Sequence, residues 1–182
     1  MKSIAVYCGA LPGASAQYAD AARALARVLV AHNIGLVYGG GNVGLMGIIA
    51  DEVLRLGGEA TGVIPTQLVE RELAHAGLTR LFVVKNMHER KAMMADLSDG
   101  FIAMPGGMGT LEELFEMLTW SQLGIHAKPV GVLNVGGYYD LLAGFIAHAG
   151  REGFIRPQHA GLMKVASDPE ALIALMSAPA GA

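Results

Sequence analysis

Residues 101–113 read Phe-Ile-Ala-Met-Pro-Gly-Gly-Met-Gly-Thr-Leu-Glu-Glu and join a short apolar segment to a glycine-rich turn and a helix. Phe101–Met104 is apolar throughout, as expected of a strand that is buried on both faces of a parallel sheet. Pro105 ends the strand, and a helix is predicted over Thr110–Leu123. A strand that leads into a helix through a short glycine turn is the repeating unit of a parallel α/β sheet.

The same alternation of strands and helices extends in both directions from this unit. Strands are predicted at Ser3–Cys8, Ile34–Tyr38, Ala60–Ile64, Leu81–Val84, Phe101–Met104 and Val130–Val135. Helices are predicted at Ala16–His32, Gly44–Leu56, Met87–Leu97, Thr110–Leu123, Tyr138–His148 and Pro169–Met176. Pro65–Thr79 is predicted to be irregular, and Ser177–Ala182 to be a loose tail. The pattern predicts one α/β domain over residues 1–182, with a doubly wound parallel sheet.

The composition limits the classes of partner. The 182 residues are 53% hydrophobic and 16% charged, with a net charge of −3. This length supports one domain with a full core. The negative charge argues against nucleic acid and against an anionic membrane surface as the main partner. The low charged fraction indicates that one face is buried against a second subunit.

A homodimer or larger even assembly is therefore expected. Four apolar residues in predicted helices are candidates for its interface: Met93, Met94, Met117 and Leu118. The alternative is that these side chains belong to the core of the monomer, because methionine is commonly buried.

Several classes of protein are excluded by particular residues. The lone Cys8 rules out a disulfide framework, and no His/Cys/Asp cluster has the spacing of metal ligands, so no metal and no cofactor are expected. Val28–Ala50 lacks Asp, Glu, Lys and Arg, but the glycines at 39–41 interrupt it and exclude a transmembrane helix. Gly9 and Pro12 interrupt the apolar N-terminal stretch, so a signal peptide is rejected and a cytoplasmic location is expected.

Three of the predicted strands end in glycine-rich turns, at residues 9–13, 39–44 and 105–110. Ligands of open parallel sheets bind beyond the carboxyl ends of the strands. Glycine permits close approach of the backbone, and a helix N-terminus offers N–H groups and partial positive charge to an anion. The three turns therefore predict a small molecule that carries a phosphate. For any single turn, tight packing of strand against helix is the alternative.

The second turn formally matches a dinucleotide fingerprint through Gly39, Gly41 and Gly44. An NAD site also needs a carboxylate at the end of the next strand to bind the ribose. That strand ends in Ile-Pro-Thr-Gln at residues 64–67, without a carboxylate, so a mononucleotide fits better than NAD. The third turn lacks the Gly-Lys-Ser/Thr ending of a Walker A site.

Two clusters of polar residues follow the turns. Thr110 and Glu113 have the spacing of a capping box, which would make Glu113 structural, although a capped carboxylate would also be held rigidly beside an anion site. In the second cluster, Asn86 is predicted to cap the helix over Met87–Leu97, with Glu89 as its capping partner. The basic pair at residues 90–91 then lies where the helix dipole disfavours cations, which favours contact with a phosphate or a carboxylate. The alternative is a solvated pair.

Residues 105–113 match the Pro-Gly-Gly-x-Gly-Thr-x-x-Glu signature of the LONELY GUY family, the cytokinin riboside 5′-monophosphate phosphoribohydrolases. Met87–Lys91 reads Met-His-Glu-Arg-Lys and resembles the second motif of that family. Residues 38–47 and 119–124 extend the resemblance, which covers nearly the whole chain, roughly Ile4 to Gly153. The two motifs at this spacing are highly specific.

The resemblance implies a Rossmann-like dimer that hydrolyses the N-glycosidic bond of an N6-prenyl-adenosine 5′-monophosphate, and of AMP, to the free base and ribose 5-phosphate. Arg90 and Glu113 resemble the catalytic pair. Substrate contacts are expected, from the resemblance and the glycine turns, at Gly39, Gly40, Gly41, Glu72, Met87, Arg90, Lys91, Gly106, Gly107, Met108, Gly109, Thr110, Leu111, Glu112, Glu113 and Thr119. Ala10 and Leu11 stand where relatives commonly carry serines, so the first turn lacks those hydroxyl groups.

Two other functions compete with this one. Relatives are often labelled lysine decarboxylases, which need pyridoxal phosphate on a Schiff-base lysine. Lys91 is the single lysine within a candidate site motif, and it stands beside Arg90 in an expected anion site, so the label is unsupported. The second function is a nucleotide-binding module without catalysis, which would bind AMP and release no base.

Overall fold

The computed structural model describes residues 1–69 and 74–178. Its strands are β1 (Ser3–Tyr7), β2 (Gly35–Tyr38), β3 (Ala60–Pro65), β4 (Arg80–Val84), β5 (Gly100–Ala103), β6 (Val130–Leu133) and β7 (Met163–Ala166). Its helices are α1 (Ala16–Ala31), α2 (Gly44–Arg55), α3 (Met87–Asp96), α4 (Met108–Gln122), α5 (Asp140–Arg151) and α6 (Pro169–Ser177). Glu72 and the end of the predicted tail lie outside the described residues.

The seven strands form one sheet in the order β4-β3-β2-β1-β5-β6-β7, and every neighbouring pair is parallel. The central strand β1 pairs through Ala5 with Val37 on one side and with Phe101 on the other. All seven strands therefore present their carboxyl ends at the same edge. This confirms the predicted doubly wound α/β fold.

Two apolar cores cover the two faces of the sheet. The first core packs α1, α2 and α6 against one face, and the second packs α3 and α4 against the other. Side chains of β1 alternate between the two cores, with Val6 and Cys8 in the first and Ala5 and Tyr7 in the second. The helices that follow β1 and β5 thus lie on opposite faces of the sheet. The neighbouring strands β1 and β5 consequently form the topological switch point, where a crevice opens beyond their carboxyl ends.

Three expectations of the sequence analysis are corrected here. Strand β7 was not predicted, because it is a four-residue edge strand whose exposure follows no clear alternation. Helix α5 begins at Asp140 rather than Tyr138, since Gly136 and Gly137 adopt positive φ and form a turn first. The proposed interface residues Met94 and Met117 are 1% and 0% exposed, so they belong to the monomer core.

The described part of the chain contains no helix that is both long and apolar enough to cross a membrane.

Candidate active site

A cavity of about 350 Å³ lies at the switch point between β1 and β5. The turns after the two strands form most of its wall, and Tyr18, Leu45 and Tyr138 complete it. The N–H of Gly9 donates to the carbonyl of Pro105 at 3.0 Å, and the N–H of Leu45 donates to the carbonyl of Gly9 at 3.0 Å. Leu45 is the second residue of α2, the helix that follows the second glycine turn. The three glycine turns therefore meet at one edge, as the sequence predicts.

Two adjacent tyrosines fix the backbone of the third turn. The hydroxyl of Tyr138 donates to the carbonyl of Gly106 at 2.6 Å, and the hydroxyl of Tyr139 donates to the carbonyl of Met104 at 2.7 Å. Both carbonyls beside Pro105 are thereby held by side chains that lie more than 30 residues further along the chain. Neither tyrosine was predicted from the sequence to be part of the site. The sequence signal that could have indicated them is a pair of tyrosines directly after two glycines.

Helix α4 begins at Met108, with Gly107 as its N-cap and without a side-chain cap among the described residues. The predicted capping box is therefore wrong, because Thr110 is already the third helical residue. Its buried side chain instead packs against Gly106, where an added Cβ would lie 2.1 Å from the Thr110 hydroxyl oxygen. The N–H groups of the first turn of α4 have no acceptor within the helix and are suited to bind an anion.

The second motif brings a buried arginine to the second glycine turn. Asn86 caps α3 as predicted, accepting a hydrogen bond from the N–H of Glu89 at 2.9 Å. Arg90 is 5% exposed, and its guanidinium donates to the carbonyl of Gly39 at 2.9 Å and to the sulfur of Met87 at 3.8 Å. Arg90 therefore contacts two other residues that were expected to contact the substrate, Gly39 and Met87.

The Lys91 side chain turns from the same helix towards α4. Its ammonium group donates to the carboxylates of Glu112 at 2.5 Å and Glu116 at 3.0 Å. Burial lowers the pKa of Lys91, but the hydrogen bonds to the two carboxylates outweigh it, so the pKa lies above its ordinary value. Of the two expectations for the basic pair, contact with a carboxylate is the one that Lys91 makes in this structure.

Glu113 is half-buried and lies in the second turn of α4. Burial raises the pKa of the Tyr7 hydroxyl well above its ordinary value, and the negative charge of Glu113 raises it further, with smaller effects from Glu116 and Glu112. Burial and the same Glu113 charge also raise the pKa of the Cys8 thiol. Tyr7 ends β1 and Cys8 follows it, so the charge of Glu113 acts on the end of a strand that forms one side of the crevice.

The second glycine turn is held from the other side by a segment that the sequence did not indicate. Gly41 forms an antiparallel bridge with Ala74, and the N–H of His75 donates to the carbonyl of Gly40 at 3.0 Å. The buried ring of His75 lies 3.0 Å from a carboxylate oxygen of Asp51 on α2. The carbonyls of Gly39 and Gly40 are therefore both occupied by long-range partners.

The remaining expected contacts fall into two groups. Gly107, Met108 and Gly109 are exposed at the start of α4, while the side chain of Leu111 packs against the second core. Thr119 lies about 9 Å further along the helix axis than Glu113. It lines a separate groove on the outer surface of α4 and α5, together with Phe115 and other apolar residues. Of the predicted contacts that the structure describes, Gly106 and Gly107 line the crevice, whereas Thr119 lines a different groove.

Within residues 1–69 and 74–178, no three side chains of His, Cys, Asp or Glu are grouped so that they could hold a metal ion.

Solved structures of other proteins share this fold. A molybdenum cofactor binding protein from Rippkaea orientalis aligns with a TM-score of 0.70 at 24% identity, over 95% of this chain and 93% of that one. The Moco carrier protein from Chlamydomonas reinhardtii aligns with a TM-score of 0.69 at 21% identity, over 94% of this chain and 93% of that one. At these identities the likeness shows the fold alone.

A family model described as possible lysine decarboxylase matches residues 46–176. That description implies pyridoxal phosphate, which would form a Schiff base with the neutral amine of a lysine. The lysine in the site motif, Lys91, is instead held as a charged ammonium group between two carboxylates, with its pKa raised. The residues of this site do not fit that cofactor.

Curated relatives are similar over most of their length. A cytokinin riboside 5′-monophosphate phosphoribohydrolase from Rhodococcoides fascians is 49% identical over 98% of this chain and 90% of its own. A protein of the same name from Arabidopsis thaliana is 54% identical over 86% of this chain and 73% of its own. Together with the two motifs and the crevice they surround, these identities establish that the chain belongs to the LONELY GUY family of cytokinin riboside 5′-monophosphate phosphoribohydrolases.

Proposed function

We propose that this protein hydrolyses the N-glycosidic bond of N6-prenyl-adenosine 5′-monophosphate, and of AMP, and releases the free base and ribose 5-phosphate. The relatives' names support hydrolysis of a cytokinin nucleotide. The observation that carries the proposal is the position of Glu113, one turn inside a helix whose N-terminus borders the crevice at the switch point.

The 5′-phosphate binds at the N-terminus of α4 in this proposal. Gly106 and Gly107 line the cavity, and the N–H groups that follow them lack intrahelical acceptors. Partial positive charge at the helix N-terminus stabilises a phosphate, and the Arg90 guanidinium at the neighbouring turn adds a full positive charge. The first turn adds no hydroxyl groups, because residues 10 and 11 are Ala and Leu. Phosphate recognition therefore depends on backbone N–H groups more than on side chains.

Glu113 acts on the ribose in this proposal. Cleavage of the bond between C1′ and the base nitrogen builds positive oxocarbenium character on the ribose. A carboxylate near C1′ stabilises that charge, or accepts a proton from the water whose oxygen bonds to C1′. The base leaves with the electron pair of the broken bond and is protonated. Arg90 and Glu113 form the proposed catalytic pair, and Glu72 is a proposed substrate contact that rests on the resemblance.

Chromatography of nucleotides incubated with the purified protein tests this function. We expect free adenine from AMP and free N6-isopentenyladenine from N6-isopentenyl-AMP, each with ribose 5-phosphate. Adenosine and N6-isopentenyladenosine should be poor substrates, because they lack the phosphate. Equal turnover of adenosine and AMP would contradict the phosphate site. Tight binding of AMP without release of base would instead identify a nucleotide-binding module.

The proposed enzyme is a cytoplasmic homodimer that buries the outer surface of α5. No residue of α5 is buried in the monomer. Its apolar side chains Leu141 and Phe145 are 90% and 64% exposed, and Phe154, just after the helix, is 87% exposed. Apolar area of this kind indicates a protein interface.

Light scattering should give the mass of a dimer, and Phe145→Glu should give a monomer. Leu175→Glu, on α6 at the opposite face of the sheet, is the control that should leave the dimer intact; a monomeric wild type would refute the assembly.

A further inference from the structure

Lys91 is a charged group in a nearly dry environment. It is 8% exposed, and both of the described groups that receive its hydrogen bonds are carboxylates. Burial of an ammonium group is strongly unfavourable unless it is paired and hydrogen-bonded. The two carboxylates are therefore needed to keep Lys91 charged inside the protein.

The two carboxylates depend on Lys91 in turn. Glu112 and Glu116 are four residues apart on α4, so their side chains lie on the same face of the helix and repel each other. One oxygen of Glu116, Oε2, is buried and has no hydrogen-bond partner among the described residues. The ammonium group between the two carboxylates offsets this repulsion and the cost of burying that oxygen.

The ion pairs join two helices beside the proposed catalytic residues. Lys91 directly follows Arg90 on α3, while Glu112 directly precedes Glu113 on α4. Strand β5 and the third glycine turn separate the helices in sequence, so the ion pairs are a direct side-chain link between them.

We infer that Lys91 is a positioning residue, which holds α4 against α3 so that Glu113 and Arg90 keep the geometry that the reaction requires. This inference rests on the proposed function and deepens it. It also changes the role that the resemblance implies for Lys91, from a contact with the substrate to a link between helices. The ammonium group of Lys91 already binds the carboxylates of Glu112 and Glu116. In this proposal the phosphate is therefore bound by the N-terminus of α4 and by Arg90, and not by Lys91.

The kinetic constants of two variants separate the roles. Lys91→Met keeps the length and packing of the side chain and removes the link. Glu112→Gln/Glu116→Gln removes the link from the other side and leaves the lysine in place. A displacement of about 1 Å in an active site costs on the order of 10²-fold in rate. We therefore expect both variants to lose about 10- to 100-fold in kcat with AMP, with little change in KM. The combined triple variant should lose no more than either alone, because all three remove the same link.

Glu52→Gln is the matched control. Glu52 binds Arg27 of α1 and Arg55 of its own helix α2 on the opposite face of the sheet, so this variant breaks one ion pair between helices and one within a helix without touching the site. Its kcat should equal that of the wild type.

Lys91 would instead be a phosphate contact if Lys91→Met raised KM and weakened the preference for AMP over adenosine. Wild-type kcat in the Glu112→Gln/Glu116→Gln variant would also overturn the inference, and this outcome can be read even if Lys91→Met fails to fold. A wild type that releases no base refutes the proposed function and the positioning role together. A wild type that is active beside unaffected variants refutes the positioning role alone.

Discussion

The guanidinium of Arg90 occupies the space that a side chain at position 39 would fill. Its Nη2 atom donates to the carbonyl oxygen of Gly39 at 2.9 Å, and a Cβ atom added to Gly39 would lie 2.0 Å from the same nitrogen. The second glycine turn and the second motif are therefore complementary in shape, which explains why glycine and arginine occur together at these two positions.

Gly39→Ala should displace Arg90 and lower the rate of base release. A shift of about 1 Å at the site corresponds to a loss on the order of 10²-fold in kcat/KM for AMP. The control is Gly35→Ala at the start of β2, the strand that precedes Gly39, where an added Cβ would make contact at 3.7 Å and fit without displacement. Equal kinetics for the two variants would show that the position of Arg90 does not matter for the reaction.

Glu113→Gln should abolish most of the catalysis and leave nucleotide binding. Loss of a positioned general base costs about 10²–10⁴ in rate. Since Gly107 rather than Thr110 is the N-cap of α4, the variant loses no capping box and should remain folded. Calorimetry should still detect AMP, and Glu59→Gln, an exposed carboxylate just before β3, should behave as wild type. A folded Glu113→Gln protein with the wild-type rate would move the catalytic role to another carboxylate.

Tyr138→Phe should weaken substrate binding. The variant loses a hydrogen bond to the carbonyl of Gly106, which is worth about 0.5–1.5 kcal/mol. If that bond holds the phosphate-binding turn in place, KM for AMP should rise about two- to tenfold.

Tyr139→Phe tests a different effect, because its hydroxyl and the Met104 carbonyl are both buried. That variant should lose about 1–3 kcal/mol of stability with little change in KM. The same KM change in both variants would argue against a specific role for Tyr138.

Glu52 should make the stability depend on pH at acidic values. Hydrogen bonds from Arg55, with the charges of Arg55 and Arg27, lower the pKa of the Glu52 carboxyl to about 2. Its pKa in the unfolded chain is about 4.5, so the stabilisation is complete well above that pH and is lost as the pH falls towards 2. The difference in Tm between wild type and Glu52→Gln should therefore be largest near neutral pH and shrink on acidification. A difference that does not vary with pH would contradict this assignment.

Short-range features of the fold could be predicted from the sequence. The Asn86 cap depends on residues three positions apart, and it is found as predicted. The convergence of three glycine turns follows from parallel strands, whose carboxyl ends share one edge. In each of these cases the interaction is local, or the topology of the sheet dictates it.

Long-range features could not be predicted in the same way. The spacing of Thr110 and Glu113 fits a capping box, but the glycine turn is short and the helix starts earlier, at Met108. The contacts of Tyr138 and His75 with turn carbonyls join residues that are distant in sequence, and no periodic pattern encodes them. Met94 was expected at an interface but is buried in the monomer. The composition of a sequence indicates how much apolar surface must be covered, but it does not indicate whether the core or a second subunit covers it.

The single cysteine, Cys8, lies at the crevice between β1 and β5, directly after β1. The rate at which its thiol is alkylated can be used to follow the opening of the native protein. Cys8 is 8% exposed, and burial together with the charge of Glu113 keeps the thiol protonated. Because only an exposed thiolate reacts with an alkylating reagent, labelling of Cys8 has to wait for β1 and the start of α4 to separate. When opening and closing are fast compared with alkylation, the labelling rate reports the fraction of molecules in which the crevice region is open, without any engineered probe. A bound nucleotide that joins the two turns should slow that rate, in proportion to the affinity of the closed form.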